Sequence, residues 1–173
     1  MSEPQTQLRP EEPGDAPAIA EVLQAAFGAP AEAGLVAALR EAGALTLSLV
    51  ALDGDRIVGH VALSPVAVGG ALAGHRWLGL APLAVHPDRQ RRGIGAELVG
   101  AALAMAAARQ AAVVFVLGRP DYYDRLGFET AAALGWRCVY DVPEAAFRVH
   151  RLADAGRQPP PGTVTYHAAF DAL

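Results

Sequence analysis

The sequence predicts a mixed α/β fold, one central sheet with helices on its faces. Three observations predict it. Two amphipathic helical segments, Ala16–Phe27 and Ala31–Ala42, come first; a strand–turn–strand pattern follows around Asp53-Gly54; then strand, long helix, strand, short helix and further strands alternate to the end. The chain has 173 residues, of which 53% are hydrophobic and 18% charged, enough to bury one core and far from the composition of a disordered chain.

Thr6–Arg9 reads as a short first strand, and residues 1–5 as a flexible N-terminus. Pro13-Gly14-Asp15 is a helix entry with Asp15 as the expected N-cap, and Ile19, Val22, Leu23 and Phe27 form one apolar stripe that Gly28 ends. In the second helix Leu35, Val36 and Leu39 face inward before Gly43. Leu45–Leu52 and Ile57–Val66 are the arms of a hairpin turned at Asp53-Gly54. Gly69–His75 reads as a loop. Trp77–Val85 is a strand in which Pro82 removes a ladder donor, the mark of an edge, a bulge or a splay. His86–Arg92 is a polar turn into an alanine-rich helix, Ile94–Gln110, with Leu98, Ala102 and Met105 on one face. Val113–Leu117 is apolar throughout, as in a strand covered on both faces. Pro120–Leu126 is a short helix stopped at Gly127. Arg137–Tyr140 and Phe147–Leu152 are further strands. The principal domain therefore spans 6–152, with 153–173 a proline-rich linker and C-terminal segment packed on it; a strand in this tail offers a way to pair two chains as a homodimer.

Composition narrows the function. The net charge of −4 supplies no basic footprint for nucleic acid. The acidic, polar start has no signal-peptide pattern, and no stretch reaches the ~18 apolar residues of a membrane span, so a soluble cytoplasmic protein is expected. All 14 basic residues are arginine, which excludes a lysine Schiff base and a P-loop lysine. The single cysteine, Cys138, excludes an internal disulfide and a multi-cysteine zinc site; in the apolar setting of Trp136-Arg137-Cys138-Val139-Tyr140 it reads as packing, and no metal is expected.

The densest signal lies at Leu83-Ala84-Val85-His86-Pro87-Asp88-Arg89-Gln90-Arg91-Arg92-Gly93-Ile94-Gly95-Ala96. A strand end, a basic turn and two glycines open directly into a helix, whose first N–H groups lack intrahelical partners and carry the positive end of the dipole. Such a place accepts a pyrophosphate. The spacing departs from the dinucleotide fingerprint, and no acidic residue stands about 20 positions on.

Gln90-x-x-Gly93-x-Gly95 behind Leu83-Ala84-Val85, followed in order by Tyr123-Asp124-Arg125-Leu126-Gly127-Phe128, resembles the GNAT superfamily of N-acetyltransferases; Gly59-His60, "LGLAPLAVHPDRQRRGIG" and the ending "GTVTYHAAFDAL" resemble its YhbS-like group. The resemblance covers roughly residues 6–170. It implies the GNAT fold, with two splayed strands admitting acetyl-CoA. It also implies that the Leu83, Ala84 and Val85 backbone pairs with the pantetheine arm, that the amides of Arg91, Arg92, Gly93, Ile94, Gly95 and Ala96 hold the pyrophosphate with Gln90 also among the cofactor-binding residues, and that an amine is acetylated directly with Tyr123 as general acid. Tyr122 is expected to pack or to wall the site. Val116 stands where many members carry asparagine. The general base is left among Glu32, His60 and water, and the acceptor among small amines and protein amines. The rival reading is a catalytically silent acyl-CoA-binding module.

Overall fold

The computed structural model describes residues 6–153 and 157–173; the expected flexible residues 1–5 lie outside the described residues. The elements are β1 (Gln7–Pro10), α1 (Ala16–Phe27), α2 (Ala31–Glu41), β2 (Leu47–Asp53), β3 (Arg56–Pro65), β4 (Ala67–Val68), β5 (Ala71–Leu72), β6 (Trp77–Val85), α3 (Ile94–Ala108), β7 (Val113–Leu117), α4 (Pro120–Asp124), β8 (Glu129–Thr130), β9 (Trp136–Cys138), β10 (Phe147–Arg151) and β11 (Gly162–Thr165), joined by short 3-10 turns. The chain forms two compact units, one of Met1–Leu63, Pro82–Ala102 and Ala169–Leu173, the other of Ser64–Ala81 and Leu103–Ala168. Strand β6 and helix α3 each contribute to both.

In the first unit, β1 pairs antiparallel with β2 and β2 with β3. Helices α1 and α2 cover this meander because Ile19, Val22, Leu23, Leu35, Val36 and Leu39 are all buried; each such side chain removed from water stabilises the unit by about 1.5–3 kcal/mol. Phe27 departs from the expected stripe and is 43% exposed, since at 3.6 residues per turn a position eight residues beyond Ile19 has drifted about 80° around the helix. Asp15 does not cap α1 with its side chain. Residue N2 is Pro17, which has no N–H to give, and the carboxylate instead takes the Arg9 guanidinium at 2.6 Å and the Glu12 N–H at 2.7 Å. The hairpin turns at Gly54-Asp55, one residue later than expected, between paired Asp53 and Arg56.

In the second unit, β6 runs parallel to β7 over Trp77–Leu80, β7 pairs antiparallel with β10, and β10 with β8. The β6–β7 ladder ends at Leu80↔Val116, two residues before Pro82, as a proline that cannot donate to a ladder requires. The segment read as a loop at Gly69–His75 begins instead with the β4–β5 hairpin, whose two turn residues, Gly69 and Gly70, have φ of 60° and 82°, the left-handed pair that such a tight turn demands. The tail strand β11 lies between β4, antiparallel, and β9, parallel. Both its edges are used within the chain, so this strand does not serve to pair a second copy. The core of this unit is aromatic: Phe115 stacks on Phe147 and meets the edge of Trp136, each at 5.4 Å between ring centres. Among the described residues no helix is long and apolar enough to cross a membrane.

Candidate active site

The turn between β6 and α3 lies in the first unit and is held by the β2–β3 hairpin. The Arg89 guanidinium donates through Nε to Asp53 at 2.8 Å, and Arg56 donates to Asp88 at 3.2 Å. Arg89 is thus engaged by carboxylates, and these bonds hold its pKa above the usual arginine value despite desolvation. Arg91 and Arg92 differ. Both are exposed and, among the described residues, neither has a hydrogen bond or ion pair, so the free positive charge of the turn is theirs. Arg91 sits in the left-handed region at φ 64°, an arrangement costing a non-glycine residue on the order of 1–3 kcal/mol and often kept where a turn has a ligand to hold.

Gly93 has φ of 82° and its carbonyl accepts the first intrahelical bond, from Glu97 at 3.0 Å. It therefore caps α3 without a side chain, leaving the N–H groups of Ile94, Gly95 and Ala96 without intrahelical acceptors. Ile94 is buried and anchors the helix start. The side chain of Gln90, expected among the cofactor-binding residues, is turned to the strand end. Its Nε2 donates to the Val85 carbonyl at 3.0 Å, tying the turn to the strand end. Ala84 is buried with Ile19, Val22 and Val50, whereas Leu83 and Val85 are half-buried. Together these residues present a run of main-chain donors at the start of α3 with two exposed guanidinium groups beside it.

His60 is also in this unit, fully buried on β3, with Nε2 2.8 Å from Ser48 Oγ. Burial, reinforced by the charge of Arg40, lowers its pKa to about 3. An imidazole whose pKa is so lowered is a weak proton acceptor, which with its burial and its bond to Ser48 fits packing better than general-base work. Glu32 lies in the first turn of α2, half-buried, and its Oε2 is buried without a partner among the described residues.

Tyr123 belongs to the second unit. It sits on α4, a helix that opens on Pro120, and is 7% exposed. Its ring lies against Gly118, where a Cβ would overlap Tyr123 Cε2 and stand 2.8 Å from Cδ2. Tyr122 meets it edge-on at 5.0 Å and Phe128 at 5.3 Å. The carbonyl of Tyr123 accepts from the N–H of Phe128 at 3.1 Å, closing the turn around Gly127. Burial, with a further push from Tyr122 and against the pull of Arg119, raises the phenol to about 12, so it is held in the proton-bearing form. Val116 is buried and pairs across the ladder with Arg148. Cys138 is half-buried with its thiol pKa raised by burial, which suits packing better than nucleophilic attack. Among the described residues no cluster of three or more His, Cys, Asp and Glu could hold a metal ion.

These parts, in this order along the chain, match a known family: residues 7–131 fit the model described as an acetyltransferase (GNAT) domain. The chain belongs to the GNAT family. The N-acetyltransferase YhbS of Escherichia coli K12 is 44% identical to it over 165 residues, 95% of this chain and 98% of that protein. The crystal structure of E. coli YhbS in complex with CoA superposes with a TM-score of 0.89 at 43% identity, over 96% of this chain and 92% of that one. A GNAT acetyltransferase from Brucella melitensis in complex with acetyl-CoA gives 0.82 at 38% identity, over 97% and 99%. The mixed sheet with flanking helices is therefore the GNAT fold, and this chain is an N-acetyltransferase of that family.

Two contacts around α4 escape the sequence. Gly118 reads only as the end of a strand, although its place between Leu117 and the Tyr122-Tyr123 helix hints at a ring needing room. Arg148 lies in the alternating Phe147-Arg148-Val149-His150-Arg151, where nothing marks one arginine as buried and the other as exposed.

Proposed function

We propose that this GNAT enzyme binds acetyl-CoA, with the diphosphate on the main-chain N–H groups from Arg91 to Ala96, and passes the acetyl group directly to an amine. The observation that carries this reading is the side-chain-free cap at Gly93, which leaves the first amides of α3 without intrahelical acceptors next to the unpaired Arg91 and Arg92. A diphosphate satisfies those donors and the dipole at once. The complexes of the related YhbS with CoA and of the Brucella enzyme with acetyl-CoA support it. The ladder from β6 to β7 ends at Leu80, and the stretch Leu83, Ala84 and Val85 beyond it would meet the pantetheine arm as an added strand does. The Val85 carbonyl already accepts from Gln90.

In the transfer, the neutral amine attacks the thioester carbon, the carbonyl oxygen gains the negative charge, and the C–S bond then breaks. Tyr123 gives its proton to the leaving sulfur. A thiol with a pKa near 8.5 leaves more readily when it is protonated as it departs. The proton lost by the amine passes to water or to Glu32.

The test is a thiol-release screen with acetyl-CoA and a panel of polyamines, amino acids, aminoglycosides and peptide N-termini. Amine-dependent release of CoA is expected. Stoichiometric acetyl-CoA binding without release to any amine would leave a sensor in place of an enzyme.

A further inference from the structure

Arg148 is a charge placed where a charge is expensive. Its side chain is 6% exposed on β10, in a strand paired on both sides. A guanidinium stays protonated and offers five N–H donors, so a buried one must be surrounded by acceptors. Here Nη1 donates to Thr130 Oγ1 at 2.8 Å and to the Ala145 carbonyl at 3.3 Å, while Nη2 forms an ion pair with the Asp124 carboxylate. The Nε–H is buried and has no partner among the described residues. An apolar side chain would fill the same space without desolvating a cation. What the arginine alone provides is a rigid fork that joins β8, the turn before β10 and the end of α4.

Asp124 is the residue after Tyr123 and the last of α4. That helix has five residues, too few to keep a direction by its own hydrogen bonds. One side of the Tyr123 ring is fixed by Gly118 and another by Phe128. The Asp124–Arg148 pair fixes the backbone from the opposite end. We propose that Arg148 is a positioning residue for Tyr123, acting through Asp124 to hold the C-terminal end of α4 and so the direction of the phenol. This rests on the reading of Tyr123 as the proton donor.

The experiment is a double-mutant cycle on the full chain. Hydroxylamine is the probe acceptor, since it is unprotonated at neutral pH and leaves departure of the thiol as the step under study; the non-enzymatic rate is subtracted. Asp124→Asn is the main variant because the Asp124 side chain is 55% exposed and its neutral amide leaves the fold intact. It should lower kcat about tenfold with the KM for acetyl-CoA unchanged, part of the roughly 10²–10⁴ that a positioned acid supplies. Arg148→Lys, which keeps the charge and loses the fork, should behave alike, and Asp124→Glu should recover part of the rate. Combined with Tyr123→Phe, Asp124→Asn should cost nothing further, because both act on one proton transfer. A wild-type kcat for Asp124→Asn, or a loss that adds in full to that of Tyr123→Phe, overturns the role of Arg148 and leaves Tyr123 as the acid. An unchanged rate in Tyr123→Phe alone overturns both.

Discussion

The ring of Tyr123 occupies the space that any side chain at residue 118 would need: a Cβ on Gly118 would overlap Cε2 and stand 2.8 Å from Cδ2. The glycine and the tyrosine form one device, since the ring is buried against the backbone and cannot retreat without losing Phe128. Gly118→Ala should therefore displace the phenol and lower turnover, with a loss of stability of about 1–3 kcal/mol from overpacking. Binding of acetyl-CoA, followed as the rise in melting temperature it produces, should persist. Turnover at the wild-type level in this variant would separate Tyr123 from the chemistry.

The phenol also sets a pH profile. Burial raises Tyr123 from 10.0 to about 12, so the acid keeps its proton at every pH at which the protein is assayed. An acceptor such as a lysine-type amine, with a pKa near 10.4, gains its neutral form as pH rises. The expected kcat/KM therefore climbs through the alkaline range and shows no falling limb between about pH 7 and pH 10. A bell with its basic limb below about 10 would assign the acid to another group.

The anion site allows a variant that favours the fold and opposes the ligand. Gly95 lies in the first turn of α3, where a carboxylate stabilises a helix by about 0.3–1 kcal/mol through the dipole. Gly95→Asp should thus keep or raise the melting temperature of the free protein, while its negative charge repels the diphosphate and abolishes the thermal shift given by acetyl-CoA. A shift of undiminished size would place the diphosphate elsewhere.

His60 predicts acid sensitivity. Its folded pKa is lowered from 6.5 to about 3, so below 6.5 the unfolded chain takes up a proton that the folded protein refuses. The associated stability is fully present above about pH 6.5 and falls by about 1.4 kcal/mol per unit as pH drops toward the folded value. In urea unfolding at neutral pH and at pH 4.5, His60→Gln should lose markedly less stability on acidification than the wild type. Equal losses would contradict a neutral, buried imidazole.

Most of the fold was legible because its signals are local. The stripes Ile19-Val22-Leu23 and Leu35-Val36-Leu39, the apolar run Val113–Leu117 and the bounds of β6 follow from periodicity alone. What escaped depends on tertiary partners. Asp15 had the composition of a cap but was claimed by Arg9, and Gln110 ends the turn after α3 in a left-handed conformation at φ 65°, where a glycine is the usual clue. Strands β8 and β11 are too short to show a pattern, and β11 is defined by pairing with β4 and β9 across distant sequence. In the site, the glycine-arginine turn was readable from its own residues, whereas Tyr123 was singled out only by the resemblance to the GNAT superfamily. The diversion of Gln90 to Val85, of Arg89 to Asp53 and of Arg148 to Asp124 was not readable, since a sequence shows which side chains can donate but not which acceptor reaches them first. Gly79 belongs with these: a Cβ there would stand 2.5 Å from Tyr166, a contact set by a residue 87 positions later.

The central claim is that the main-chain amides at the start of α3 grip a diphosphate. Titration calorimetry comparing acetyl-CoA with S-acetylpantetheine, which carries the thioester arm but no diphosphate, tests it most directly. Tight binding of acetyl-CoA with a loss of at least about a hundredfold for the truncated thioester, roughly 2.7 kcal/mol, is the predicted result. Equal affinities, or no binding of acetyl-CoA at all, would contradict it.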